Sequence, residues 1–208
     1  MIYDFGEDGY KITLFGGIKG LVRDGEELKR DLYEVRPEII YIVLTQEQID
    51  GLNNFLKDPF ELSLSDYEII YGLHLSAYGE VMTPPPIYIE AIKYANETGT
   101  TLVPLDVPEK EYSDYYSKNV GFLDLLRNSL RKKRIMKMEF GDKTPEDFVE
   151  KWDAVMHKVK GIERVDTFRF NYVRDNLKRN LEKDKGKSVF VITEYEFYKN
   201  LENFIKEL

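Results

Sequence analysis

Four consecutive apolar residues, Val189 to Ile192, stand out in a strongly charged part of the chain. A half-exposed strand alternates apolar and polar positions, so an unbroken run predicts a strand buried on both faces in the middle of a sheet. Upstream, FRFNYVRDNLKRNLEK (168–183) has helical spacing; downstream, EYEFYKNLENFIKEL (194–208) does too. Thr193, Glu194 and Glu196 therefore follow a strand's carboxyl end at the start of a helix, where open α/β sheets place ligands.

The rest of the chain repeats this alternation. Lys11–Ile18 predicts a strand ending in the glycine pair Gly16-Gly17, and Glu38–Leu44 a second apolar strand. Thr101–Val107 predicts a third, which Pro104 confines to an edge or a bulge. Helical spacing covers 24–35, 46–56, 65–78, 87–96, 109–117, 122–138 and 145–159. Ser65 with Glu68, and Thr144 with Asp147, read as helix start signals. Strands alternating with helices predict an α/β fold: a central mixed sheet flanked by helices, with a helical insertion before the last strand. No linker or repeat divides the 208 residues, which are read as one domain.

Composition narrows the functional classes. The chain carries 30 Lys+Arg against 38 Asp+Glu, so 30 − 38 = −8, which argues against general nucleic-acid or anionic-membrane binding. No apolar run approaches the roughly 20 residues of a membrane span. The opening MIYDFGEDGY lacks a signal-peptide pattern, so a cytoplasmic location is expected. Abundant Glu and Lys without Cys fit a thermophilic source. Zero Cys and two histidines, His74 and His157, leave little for a metal site. No cofactor or metal is expected.

At the predicted strand ends stand Gly16, Gly17 and Lys19; Thr45, Gln46 and Gln48; Asp106; and Thr193, Glu194 and Glu196. Neighbouring strands would bring them to one rim, with Arg174 reaching in from the preceding helix. Carboxylates beside Lys and Arg can do acid–base work, hold an anion, or simply pair. The segment from Phe15 to Gly20 could cradle a phosphate but matches neither nucleotide-loop pattern, and reads better as a tight turn. Arg127, Arg131, Lys132, Lys133, Arg134 and Lys137 lie on one helix. Leu123, Leu126 and Leu130 read as its buried stripe, which turns the basic side chains to solvent. His74 reads as a core or cleft residue, and His157 as a cation near a helix C-terminus. Most of the fifteen tyrosines read as core-rim packing.

The order of these elements resembles the TraB/PrgY family, relatives of the Tiki proteases. That family opens with a strand ending in G-x-x-H; here Gly16-Gly17-Ile18-Lys19 keeps the glycine and has Lys for His. Its P-x-x-x-x-x-E-L-x-x-x-R is matched at Pro37 and Leu44, with Val43 and Gln48 in the Glu and Arg positions. Ala91, Ala95, Gly99, Asp106 and Pro108 fit the next helix and strand, while Pro85, Ile87 and Val107 replace Gly, Glu and Arg. Arg174 fits the family's helix arginine, and Glu196 fills the final histidine position. The resemblance implies a TraB-like fold and, in relatives, a divalent metal activating water. An ammonium at 19 and a valine at 43 cannot ligate metal. The expectation is thus a non-catalytic TraB-like domain, a pseudoenzyme, binding a small molecule or protein; Gly16, Gly17, Gln48, Thr193 and Glu194 are the binding candidates. One alternative is a hydrolase with a rebuilt metal-free site, using Glu196 or Asp106 as base and Lys19 and Arg174 as stabilisers. Another is a regulatory protein docking through the basic helix. A homo-oligomer stays open.

Overall fold

The computed structural model describes residues 2–4 and 11–208. Apart from a first short strand, the acidic opening stretch lies outside the described residues. Strands β1 (Ile2–Asp4), β2 (Lys11–Gly17), β3 (Ile39–Ile42), β4 (Thr101–Pro104) and β5 (Ser188–Glu194) form one sheet in the order β1-β2-β5-β3-β4. The last four are mutually parallel, and β1 is antiparallel to β2. As the apolar run requires, β5 is the central strand, and Val189 to Ile192 are fully buried. Pro104 sits on edge strand β4, where its missing N–H breaks no ladder.

Helices cover both faces. The described helices are α1 (Val22–Val35), α2 (Gln46–Lys57), α3 (Asp66–Leu75), α4 (Pro86–Thr98), α5 (Glu109–Asn119), α6 (Phe122–Met136), α7 (Pro145–Met156), α8 (Lys160–Lys183) and α9 (Tyr195–Lys206). Alternate β5 residues explain the two-sided burial. Val189 and Val191 pack with Val173, Leu177 and Leu181 of α8 and with Leu201 and Ile205 of α9. Phe190 and Ile192 pack with Leu28 and Leu32 of α1 and with Ile87, Ala91 and Tyr94 of α4. A third cluster joins Ile18 and Leu21, after β2, to Leu75 of α3 and to Phe148, Val149 and Trp152 of α7. The helical insertion α5–α8 precedes β5, as expected.

The local start signals form as written. Ser65 and Glu68 make a capping box at α3, and the Thr144 hydroxyl accepts from Asp147 N–H; a box that was not predicted, Thr45 with Gln48, opens α2. One expectation fails at α6: Leu123, Leu126 and Leu130 are exposed, not buried. The inward face is held instead by buried Ile135 and by polar contacts. Tyr67 Oη donates to Asn128 O, Arg131 donates to Val155 O, and Lys132 pairs with Asp66. Arg131 is therefore engaged with α7, and Lys132, still partly exposed, pairs with α3.

Candidate functional site

After β2 the chain turns into α1 on one face of the sheet; after neighbouring β5 it turns into α9 on the other. Oppositely directed connections from adjacent parallel strands open a crevice at their carboxyl ends. Lys19 enters it from the turn after β2, Glu194 from the end of β5 and Glu196 from the first turn of α9.

Four sequence candidates meet there, Asp106 joined to the other three through a residue that sequence reading missed. Lys19 forms an ion pair with Glu194, and its Nζ lies 3.7 Å from Glu196 Oε1. Arg169 of α8 pairs with Glu194 on one side and with Asp106 on the other, its Nε 2.8 Å from Asp106 Oδ2. The chain Glu196–Lys19–Glu194–Arg169–Asp106 is thus one line of alternating charge. Arg174 is not in it. Its guanidinium contacts neighbouring Asp175 at 2.8 Å, and five residues after Arg169 it points about 140° away around the helix. A positional signal for Arg169 exists: it is the one charged residue in the four-residue series Val165, Arg169, Val173, Leu177, Leu181, otherwise buried and apolar.

The electrostatics follow from burial opposed by pairing. Burial pushes the Glu194 carboxyl up, but Arg169 and Lys19 outweigh it and hold it below the ordinary range. Burial pushes Lys19 and Arg169 down, and their carboxylates more than reverse that. Glu196 differs. Burial raises its carboxyl, Lys19 only partly offsets this, and Glu194 adds to the rise. Its Oε2 is buried without a hydrogen-bond partner, as is the Tyr71 hydroxyl.

The remaining candidates serve structure. A Cβ on Gly16 would fall 2.5 Å from the Tyr198 ring, and one on Gly17 would fall 2.7 Å from Ile87, so both glycines permit close helix packing. The Ile18 N–H donates to Asp24 Oδ2 at 2.7 Å, closing the turn internally. Gln48 caps α2, although it also lines a crevice cavity. Thr193 is fully buried, and its hydroxyl donates to Glu194 O. Asp106 is clamped by Arg169 and accepts from Val107 N–H, which removes it as a free base.

Lys19 borders three cavities, of 270, 560 and 340 Å³. The 270 Å³ cavity carries Glu196, Tyr67, Tyr71, Met82, Trp152 and Met156. His74 lies outside it, in the aromatic cluster with Phe140 and Phe148, its Nε2 3.1 Å from Ile135 O.

The metal that a TraB-like resemblance implies does not fit this rim. Lys19 brings a cation to the ligand position, Val43 is fully buried in an apolar cluster, and Glu194 already holds two cations. Asp153, His157 and Asp166 form another group of metal-ligand type. Here each ring nitrogen faces a carboxylate, Nδ1 at 3.3 Å from Asp153 and Nε2 at 2.9 Å from Asp166. The hydrogen bond to Asp166, with the nearby carboxylates, raises His157, outweighing burial. Both ring nitrogens are thus engaged by carboxylates.

Comparison with protein-family models and with curated proteins found no match. No helix among the described residues is long and apolar enough to cross a membrane.

Proposed function

We propose that this chain is a non-catalytic, TraB-like binding domain whose ligand enters the crevice between β2 and β5 beside Glu196. One observation carries the reading: the rim cations are consumed by the rim carboxylates. Arg169 and Lys19 satisfy Asp106 and Glu194, which leaves neither cation free to stabilise a developing oxyanion. Among the groups lining the aromatic cavity, Glu196 Oε2 and the Tyr71 hydroxyl are buried without a hydrogen-bond partner, and only Glu196 is a carboxylate. Such a site is equipped to recognise a ligand, with apolar walls and one orienting polar group.

A second reading has its own support. A buried carboxyl raised above its ordinary range is suited to a general base or acid, so a hydrolase using Glu196 is the alternative. Turnover and binding separate the two. Wild-type protein and Glu196→Gln are assayed on generic ester, peptide and phosphoester substrates, and in parallel by thermal shift against a small-molecule panel. The binding reading expects ligand-induced stabilisation that Glu196→Gln reduces, with no turnover dependent on Glu196. Hydrolysis that disappears in Glu196→Gln would replace it with the enzyme reading.

A further inference from the structure

The 270 Å³ cavity has a chemical character of its own. It lies just below the roughly 300–1,000 Å³ of drug-sized sites, so its occupant is compact. Tyr67, Tyr71 and Trp152 line it. The Trp152 plane stands 71° from Tyr67 and 69° from Tyr71, so the aromatic wall presents rings in crossed orientations. Ring faces carry negative potential and attract organic cations.

Charge at the floor points the same way. The rim cluster sets two cations, Lys19 and Arg169, against three carboxylates, Asp106, Glu194 and Glu196. With Lys19 on Glu194 and Arg169 shared between Glu194 and Asp106, the unmatched negative charge falls to Glu196. No cation of the described residues lies closer to it than Lys19 at 3.7 Å. Its Oε2 and the Tyr71 hydroxyl are buried polar atoms without partners. An incoming alkylammonium group would neutralise the carboxylate, and one bearing an N–H would also donate to Oε2, while its carbon atoms met the rings.

We infer that the cavity beside Glu196 binds a compact organic cation, an amine or quaternary ammonium with a small apolar body. This rests on the binding-domain reading and specifies its ligand class. The recognition requires ionised Glu196, so protons compete with the ligand. The groups bearing on that carboxyl are Lys19 from the β2–α1 turn, Glu194 from β5, Asp153 from α7 and Tyr71 from α3. Burial raises Glu196, and affinity therefore falls as pH is lowered through its titration.

Trp152 is the chain's only tryptophan, and it lines the cavity, so its emission reports occupancy directly. The probes are benzyltrimethylammonium, the uncharged isostere neopentylbenzene and benzoate, titrated into wild-type protein and Glu196→Gln. The cation should shift Trp152 emission saturably and bind at least about tenfold tighter than the uncharged isostere. Glu196→Gln should abolish that preference. Should the variant fail to fold, the wild-type pH series reads the same dependence: weaker cation binding with acid, unchanged binding of the isostere. Equal binding of cation and isostere, with no pH dependence, overturns the cation assignment and leaves the cavity a general binding site. Preferential benzoate binding also overturns it, and assigns the floor to Lys19. Silence from all three probes overturns it as well, and when joined to hydrolysis lost in Glu196→Gln it removes the binding-domain reading too.

Discussion

Replacing Arg169 by Met removes the cation that two carboxylates share. The Asp106 and Glu194 side chains are 5% and 2% exposed, so neither can recover its hydration without opening the structure. Stripping one partner from a buried pair costs about 3–5 kcal/mol, because the charge left behind stays buried. Two features reduce the figure: Arg169 is itself 22% exposed, and Lys19 still faces Glu194. About 3 kcal/mol is the expected loss, equivalent to roughly 6–12 °C in Tm for a chain of this size. Arg174→Met is the matched control. Its partner is adjacent and 62% exposed, so it should cost about 0–0.5 kcal/mol. Urea titrations followed by circular dichroism at pH 7 and pH 4 compare wild type with both variants. The pH dependence has a definite sign. Glu194 is held below its ordinary value, so its contribution is present above about pH 4.3 and is lost as pH falls through the folded value. Arg169→Met reduces that depression, and the gap from wild type should narrow toward pH 4. An Arg169→Met variant within about 0.5 kcal/mol of wild type, or an equal loss in Arg174→Met, would refute the charge chain.

Val191→Asp puts a carboxylate at a fully buried position of the central strand, and should cost at least about 4 kcal/mol or prevent folding, read as loss of a cooperative melt; a near-normal Tm would show that the strand is peripheral. His157, raised by Asp166 and Asp153, contributes stability present below about pH 6.5 and lost as pH rises through its raised folded value. In His157→Gln the decline of Tm above about pH 6.5 should flatten, and an unchanged slope would show that the pairing carries no weight. Gly25→Ala tests the α1–α4 contact: alanine gains about 1 kcal/mol of helix propensity, but its Cβ would lie 2.5 Å from Pro86 Cβ and 3.0 Å from Pro86 backbone. Overpacking of about 1–3 kcal/mol should win, giving a net loss in chemical denaturation, and a stabilised variant would show that the helices can separate freely.

Sequence periodicity disclosed what depends on local rules. An unbroken apolar run could only be an interior strand, Pro104 could only tolerate an edge, and the serine and threonine caps act within one turn. The four site positions at strand ends followed from strand prediction, because parallel order places such ends on one rim. Two errors had a common cause. A helix reveals its apolar stripe but not its neighbour. On α8, Arg169 and Arg174 are equally legible as letters; only the packing of Val173 and Leu177 against the sheet decides which one enters the crevice. The start of α8 at Lys160 was missed because Gly161, Asp166 and Thr167 interrupt its apolar pattern before 168. On α6, leucine spacing implied burial, whereas Arg131, Lys132 and Asn128 anchor the opposite face. The aromatic cavity was beyond periodicity altogether, since Trp152 of α7 and Tyr71 of α3 are brought together by the third core cluster.

A rim closed by its own charges, with Glu196 left to a ligand, should reject a divalent metal ion. Crystals grown with excess Mn²⁺ and measured at the manganese edge test this most directly. Lys19 should stay on Glu194 and Arg169 should bridge Glu194 and Asp106, with no anomalous peak at the strand ends. A peak coordinated by Glu194 and Glu196, with Lys19 swung out of the crevice, would contradict it and restore a metal-dependent reaction.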